Sequence, residues 1–328
     1  MLKDNHGRRI NYLRLAVTDR CNLRCNYCMP AEGIAFSKQE HLLSLQDMQF
    51  ISRSLIEMGI DKIRLTGGEP FVRKEVPLLL DFLAEQKGLK HLSITTNATL
   101  IGPYIDRFKD WGLDEVNISL DAIDAESFKR ITRRDQFDLV MENIHKLIDA
   151  GIHVKINCVV LTGQNQDQLV PMVNYMKELP VVVRFLEEMP FNGGSRDLSP
   201  GHWNYKKILE HLQEHLGTLE EEVVPLTATS REFKIEGYRC TLGVIPAYSR
   251  TFCANCNRLR ITAKGEVITC LYGKGQLQLR DVLRRPNGEE EFASLMQNVL
   301  LRRAKDGFEA EKEHQEKVFG SSMTSLGG

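Results

Sequence analysis

From Ile10 to about Glu187 the chain repeats one pattern six times: a short apolar run, then a longer amphipathic stretch. The apolar runs are Tyr12–Val17, Lys62–Thr66, His91–Thr96, Glu115–Leu120, His153–Val160 and Val181–Glu187, each of strand length. Between them, Val140, Ile144, Leu147 and Ile148 share one face at the 3.6-residue period, and Gly151 follows as a stop signal. Ser44 and Asp47 form a capping pair before a helix predicted to run to Met58. Strands separated by helices run parallel, because tight turns cannot join parallel neighbours. The expected fold is α/β: an incomplete TIM-type barrel of six β/α units, short of the closed eight, or a doubly wound sheet. In both, chemistry belongs at the C-terminal ends of the strands.

After Pro190 the rhythm breaks. FNGGSRDLSPG (191–201) is turn-rich, a helix is predicted over Tyr205–His215, and strand-like pieces recur near Val223, Phe233, Cys240–Ile245 and Leu259–Thr262. Residues 1–190 are therefore expected to form the partial barrel and residues 191–328 a C-terminal extension packed on it. The closing GSSMTSLGG is small and polar, the composition of a frayed tail.

A net charge of −1 over 328 residues argues against a nucleic-acid partner. No apolar stretch reaches the roughly 18 residues that cross a bilayer, and the first residues lack the apolar run of a signal peptide. The expectation is a cytoplasmic protein without membrane contact. In that reducing setting its eight cysteines read as ligands rather than disulfides.

Cys21, Cys25 and Cys28 form C-x3-C-x2-C just after the first strand. Three thiolates can hold three corners of a 4Fe–4S cubane, leaving one iron open to an exchangeable ligand. Zinc would need a fourth ligand close by, and His41 lies well outside the loop. TGGEP (66–70) follows the second strand: Gly67 and Gly68 permit close backbone approach to a ligand, and Glu69 offers acceptors to an ammonium group. Cys253, Cys256 and Cys270 form a second set of three, C-x2-C-x13-C, with no histidine between them. A second cluster fits this set, and zinc stays open on spacing alone. Arg258 and Arg260 follow two apart, so in a strand both face one side, as an anionic substrate would require.

VTDRCNLRCNYCMP (17–30) with TGGEP resembles the radical S-adenosylmethionine (SAM) superfamily. FCANCNRLRIT (252–262) with Cys270 and a terminal Gly-Gly is similar to the GTP 3′,8-cyclase family of molybdenum cofactor biosynthesis, over about Tyr12 to Gly328. The resemblance implies a lyase with two 4Fe–4S clusters that cleaves SAM reductively. The resulting 5′-deoxyadenosyl radical takes hydrogen from C3′ of GTP, and joining C3′ to C8 gives 3′,8-cyclo-7,8-dihydro-GTP. By the same resemblance Cys21, Cys25, Cys28, Cys253, Cys256 and Cys270 hold the clusters. Tyr27, Gly68, Glu69, Ser119 and Met189 are then placed at SAM. Arg14, Arg64, Thr95, Lys155, Arg184, Arg258, Leu259 and Arg260 are placed at GTP. Arg14, mid-strand, would have to point into the barrel, since an unpaired charge there suits no structural role. Arg258, Arg260, Gly327 and Gly328 are placed at the reaction itself, the glycines on a tail thin enough to enter the pocket. An electron donor such as flavodoxin, a downstream cyclic pyranopterin monophosphate synthase and a homodimer are implied partners.

Three departures from the family pattern stand out: Ala98 after TTN and Arg133–Arg134, each where glycine is expected, and Leu326 before the final glycines. The His211–His215 segment, H-x-x-E-H, matches a metalloprotease pattern but reads as a solvated helix face. Cys158 and Cys240 read as core thiols. Rival readings are another two-cluster radical SAM enzyme acting on peptides, and a non-catalytic iron–sulfur or zinc protein.

Overall fold

The structure, a computed structural model, describes residues 1–191, 201–313 and 323–326. Six strands carry the first half: β1 (Tyr12–Ala16), β2 (Lys62–Thr66), β3 (His91–Thr96), β4 (Leu113–Ser119), β5 (His153–Val160) and β6 (Val181–Glu187). Each pairs in parallel with the next in sequence. That unbroken 1-2-3-4-5-6 order is the winding of a barrel; a doubly wound sheet would reverse it at a switch point.

The C-terminal part completes this sheet from both sides. It contributes β7 (Leu219–Glu221), β8 (Arg231–Ile235), β9 (Thr241–Ile245), β10 (Arg258–Ile261), β11 (Glu266–Ile268) and β12 (Leu277–Gln278). β10 lies parallel beside β1 and β9 parallel beside β6, giving one twelve-stranded sheet. The extension is thus woven into the barrel wall rather than only packed against it. β7 and β12 are the terminal strands, so the barrel stays open.

Helices cover the outside, and their ends follow the sequence. Helix α1 (Leu45–Glu57) opens with the Ser44–Asp47 capping box. Helices α2 (Val76–Ala84), α3 (Ala125–Thr132), α4 (Phe137–Asp149) and α5 (Leu169–Tyr175) follow β2, β4 and β5. Between β3 and β4 the crossover is a 3-10 turn at Gly102–Arg107 with a proline in its first turn. The strands alternate with period two. Leu13, Leu15, Ile63, Leu65, Ile94, Val116, Ile118, Val154, Ile156, Val183 and Phe185 are fully buried in one core cluster, which therefore lies on the helix side. The intervening positions, among them Arg14, Arg64, Thr95, Lys155 and Arg184, face the cavity inside the barrel.

Cys158 and Cys240 are buried in that core. Among the described residues no helix is long and apolar enough to cross a membrane.

Candidate active site

A cavity of about 610 Å³ occupies the barrel interior. All six cysteines of the two groups line it, and strand register places the groups at opposite ends. Cys21, Cys25 and Cys28 lie on the loop leaving the C-terminal end of β1. Cys253 and Cys256 precede β10, whose first residue Arg258 pairs with Tyr12 at the start of β1. The antiparallel return of β11, with Ile268 opposite Arg260, brings Cys270 back to that same end.

Around the first group, the two glycines of TGGEP serve the protein's own backbone. A Cβ on Gly67 would lie 2.3 Å from the Thr18 carbonyl oxygen, and one on Gly68 would lie 2.2 Å from that of Arg20. The segment is stitched to the cysteine loop by Gly68 N to Thr18 O (2.9 Å) and Glu69 N to Arg20 O (2.8 Å). Gly67 and Gly68 also border the cavity. Glu69 departs from expectation: it is fully buried and is not among the cavity-lining residues. Its carboxylate accepts from Thr96 Oγ1 (2.8 Å), Asn97 N (2.7 Å) and Phe71 N (3.1 Å), so it fastens the ends of β2 and β3 rather than facing a ligand. Burial pushes its carboxyl up to about 7, against the pull of those donors. Asn97 in turn points its amide at Cys21 Sγ, 3.7 Å away.

Tyr27, Ser119 and Met189 line the cavity with Gly68. Asp121 accepts from Tyr27 Oη (2.9 Å) and Val159 N (2.9 Å). Burial pushes Cys21 up to about 12, with the Glu69 and Cys28 charges adding to it, and holds Cys25 well above the ordinary thiol value beside Asp121. These thiols ionise only against a strong local positive charge, which iron supplies.

The two family departures on this side both prove to be left-handed residues. Ala98 (φ 61°) is buried, and its carbonyl accepts from Asn143 Nδ2 at 2.8 Å. Arg133 (φ 56°) ends α3, and its guanidinium donates to the carbonyls of Arg24 (3.0 Å) and Met29 (2.9 Å), spanning the cysteine loop. Arginine here accepts backbone strain in exchange for a clamp.

Between the cysteine groups runs a row of cations. Arg260, Arg14 and Arg64 are register partners across β10, β1 and β2, so they stack on one inner face. Arg14 has a buried Nε without a hydrogen-bond partner. Desolvation, then the charges of Arg260, Arg64 and Arg258, hold its pKa well below the ordinary value. Lys155 and Arg184 join from β5 and β6, and Thr95 from β3 with an unpartnered hydroxyl. Arg14, Arg64, Lys155, Arg184 and Arg260 belong to strand interiors and Arg258 opens β10, so the site extends down the barrel. Glu115 balances part of this charge, accepting from Arg64 (2.7 Å) and Lys155 (2.6 Å). Arg184 donates to Asn117 Oδ1, and burial lowers its pKa to about 10.

Leu259 departs from expectation. It is fully buried in the apolar core, because strand alternation turns it away from the cavity that Arg258 and Arg260 face. Tyr12, Lys62, Glu115, Asn157 and Asp121 line the cavity without having been singled out in the sequence. Tyr12 carries cations on its ring, with Lys62 at 5.1 Å and both Arg64 and Arg258 at 5.7 Å from its centroid.

At the second group, Arg258 Nη1 lies 3.8 Å and Arg303 Nη2 3.0 Å from Cys256 Sγ. Burial raises the Cys256 thiol, but Arg303, Arg258 and Arg260 outweigh it and bring the thiol down to about 7. Cys270 is raised by burial to about 11. Among the described residues no three acidic, histidine or cysteine side chains converge on one metal ion; the thiolates of a cubane each bind a different iron and need not converge. Both donor sets, soft thiols on a cavity wall, suit iron–sulfur clusters. Gly327 and Gly328 lie outside the described residues, while Met323 and Thr324, just before them, line the cavity. The rings of His211 and His215 lie 4.4 Å apart between centroids, tilted by 45°, on helix α6 (Tyr205–Leu216).

Residues 15–176 match the radical SAM superfamily, and residues 181–308 match the family described as Molybdenum Cofactor Synthesis C. A GTP 3′,8-cyclase of Desulforamulus reducens is 38% identical over 300 residues, covering 90% of this chain and 92% of its own length. The chain belongs to the GTP 3′,8-cyclase family. The mitochondrial GTP 3′,8-cyclase of Arabidopsis thaliana is 37% identical, covering 92% of this chain and 78% of that one. Molybdenum cofactor biosynthesis protein 1 of Bos taurus is 41% identical over 89% of this chain but 46% of its own length, so the chain spans about half of that relative. Among solved structures, Streptococcus suis SuiB shares the fold, with a TM-score of 0.65 at 15% identity, covering 98% of this chain and 77% of that one. Membership of this family carries 4Fe–4S clusters and SAM as cofactors.

Proposed function

We propose that this chain is a radical SAM GTP 3′,8-cyclase acting in molybdenum cofactor biosynthesis. The observation that carries the reading is the pair of cysteine triads at opposite ends of one cavity, with the arginine row between them. When bound, the cluster and SAM supply a 5′-deoxyadenosyl radical able to take hydrogen from C3′ of GTP.

The chain's part is to bind and to orient. Tyr27, Gly68, Ser119 and Met189 border the end where SAM would lie. Arg14, Arg64, Lys155, Arg184, Arg258 and Arg260 offer the triphosphate a desolvated cationic wall, and Thr95 offers a free hydroxyl. Arg14 supports this most directly, since a buried guanidinium with an unpartnered Nε is costly without an anion. The cavity wall encloses the reacting atoms and limits water, as a radical intermediate requires. Gly327 and Gly328 follow a segment already at the wall and are assigned to the active site with Arg258 and Arg260.

The division into a partial barrel (1–190) and a C-terminal part carrying the second cluster (191–328) is supported by the two family matches. A cytoplasmic location, a homodimer, a flavodoxin-like electron donor and a downstream cyclic pyranopterin monophosphate synthase complete the proposal.

The test is 5′-deoxyadenosine release from SAM by the anaerobically reconstituted, dithionite-reduced protein with GTP, ATP or no nucleotide. Release dependent on GTP, together with 3′,8-cyclo-7,8-dihydro-GTP, supports the reading. SAM cleavage indifferent to GTP overturns the substrate assignment.

A further inference from the structure

The amino-terminal segment wraps the second cysteine group. Asp4, whose side chain is fully buried, accepts from the backbone N–H of His6 (3.0 Å) and Arg8 (2.9 Å) and from Arg8 Nε (2.6 Å). Arg8 reaches on to the carbonyls of Cys253 (3.2 Å), Ala304 (3.1 Å) and Lys305 (2.7 Å). His6 Nε2 lies 3.1 Å from the carbonyl oxygen of Arg303.

Arg303 is 3% exposed. One of its nitrogens lies 3.6 Å from Asp4 Oδ2, and another donates to Cys256 Sγ at 3.0 Å. The guanidinium therefore lies between a carboxylate and a sulfur, hydrogen-bonded to the sulfur and, through an Nη1 without a hydrogen-bond partner, within ion-pair distance of the carboxylate. Asp4 alone cannot balance both Arg8 and Arg303, and a buried surplus cation needs a second anion. The sulfur of Cys256, which Arg303 faces at 3.0 Å, supplies that charge when it is a cluster-bound thiolate. Arg303 does not line the cavity, so it serves the cysteine group and not the substrate.

We propose that Arg303, held by Asp4, is a positioning residue that stabilises the reduced state of the cluster bound by Cys253, Cys256 and Cys270. This rests on the reading that those three cysteines hold a 4Fe–4S cluster. Reduction adds negative charge to the cluster, and an N–H donor or cation at a ligating sulfur favours that state and raises the potential. Such outer partners also hold the ligand in orientation, and losing one costs about ten- to a hundredfold in metal affinity.

The experiment is an EPR-monitored redox titration of the holoprotein, with iron release to a chelator timed on the same samples. The first cluster is recognised by the signal that SAM perturbs, the second by the signal that GTP perturbs. In Arg303→Gln the second midpoint moves to more negative potential and its iron is lost to the chelator faster, as an affinity about ten- to a hundredfold weaker would allow, while the SAM-sensitive signal keeps its place. Asp4→Asn loosens Arg303 and speeds iron release by less, and Arg303→Lys recovers part of the loss. Arg9→Gln, on the same segment but paired at the surface with Asp61, changes neither. Wild-type midpoints and release rates in Arg303→Gln and Asp4→Asn overturn the proposal. If Arg303→Gln loses both clusters, it has failed to fold and the decision passes to Asp4→Asn, where a wild-type iron-release rate overturns it. A wild-type protein with about four irons and no GTP-sensitive signal instead refutes the second cluster itself, and the proposal falls with it.

Discussion

Arg14 and Arg260 stand directly opposite one another on the parallel strands β1 and β10, with Arg64 next in the same row. Three guanidiniums at one level of a barrel repel; Glu115 offsets that charge at Arg64, while Arg14 keeps a buried Nε without a hydrogen-bond partner. That arrangement separates binding from stability. Arg14→Gln should weaken GTP binding at least about tenfold, as expected for a lost hydrogen bond to a charged group. The same change should leave the melting temperature of the ligand-free protein unchanged or raise it. Calorimetric titration and a thermal melt check the two halves, and a large loss of stability would make Arg14 structural.

Glu115 is the opposite case. Burial alone would raise its carboxyl, but Arg64 and Lys155 outweigh that and hold it well below the usual carboxylate range. A depressed folded pKa adds stability that is present above the unfolded value of about 4.3 and is lost as pH falls towards the folded value. Glu115→Gln should therefore cost about 3 kcal/mol at pH 7, as for other broken buried pairs. The gap to wild type should hold down to about pH 5 and narrow below about pH 4. Urea unfolding across that range reads it, and a gap that widened in acid would contradict the ion-pair account.

Ala98 and Arg133 share a left-handed backbone, yet glycine should affect them differently. Ala98→Gly relieves strain of roughly 1–2 kcal/mol against a smaller entropic cost in the unfolded chain, so the melting point should rise slightly. Arg133→Gly gains the same relief but loses both donations to the cysteine loop. Its iron at the first cluster should be released faster than in wild type, a difference visible by chelator challenge.

Leu259→Ala should remove about 2–5 kcal/mol of stability by opening a core cavity, while Arg258→Ala should spare stability and weaken GTP binding. Denaturant midpoints and nucleotide affinity, measured together, distinguish the two neighbours. Equal effects on binding would return Leu259 to the site.

The strand pattern was legible because it is local. Four of the six barrel strands have the bounds that apolar runs suggest, and the other two differ at their ends by one or two residues. Period-two alternation also contained more of the site than was drawn from it. Tyr12 precedes Arg14 by two, Lys62 precedes Arg64 by two, and Asn157 follows Lys155 by two; the same rule turns Leu259 outward. What the sequence could not announce is pairing between distant segments. Nothing near Ile10 signals that β10 will lie beside β1, and nothing near Asp4 signals Arg303. Gly67 and Gly68 carry a second duty that the sequence did not announce: besides bordering the cavity, they let the Thr18–Arg20 backbone approach closely.

The two flanking pairings, β10 on β1 and β9 on β6, also govern how the chain can be made. A nascent polypeptide that has emerged only through Glu187 displays two bare parallel edges, each a row of unsatisfied N–H and C=O groups that templates aggregation. Their covers arrive from residues 241–261, across loops long enough to make closure slow. The β1 edge therefore stays bare until Ile261 has left the ribosome, so the interval between Glu187 and Ile261 is the stretch of synthesis most exposed to edge-to-edge association.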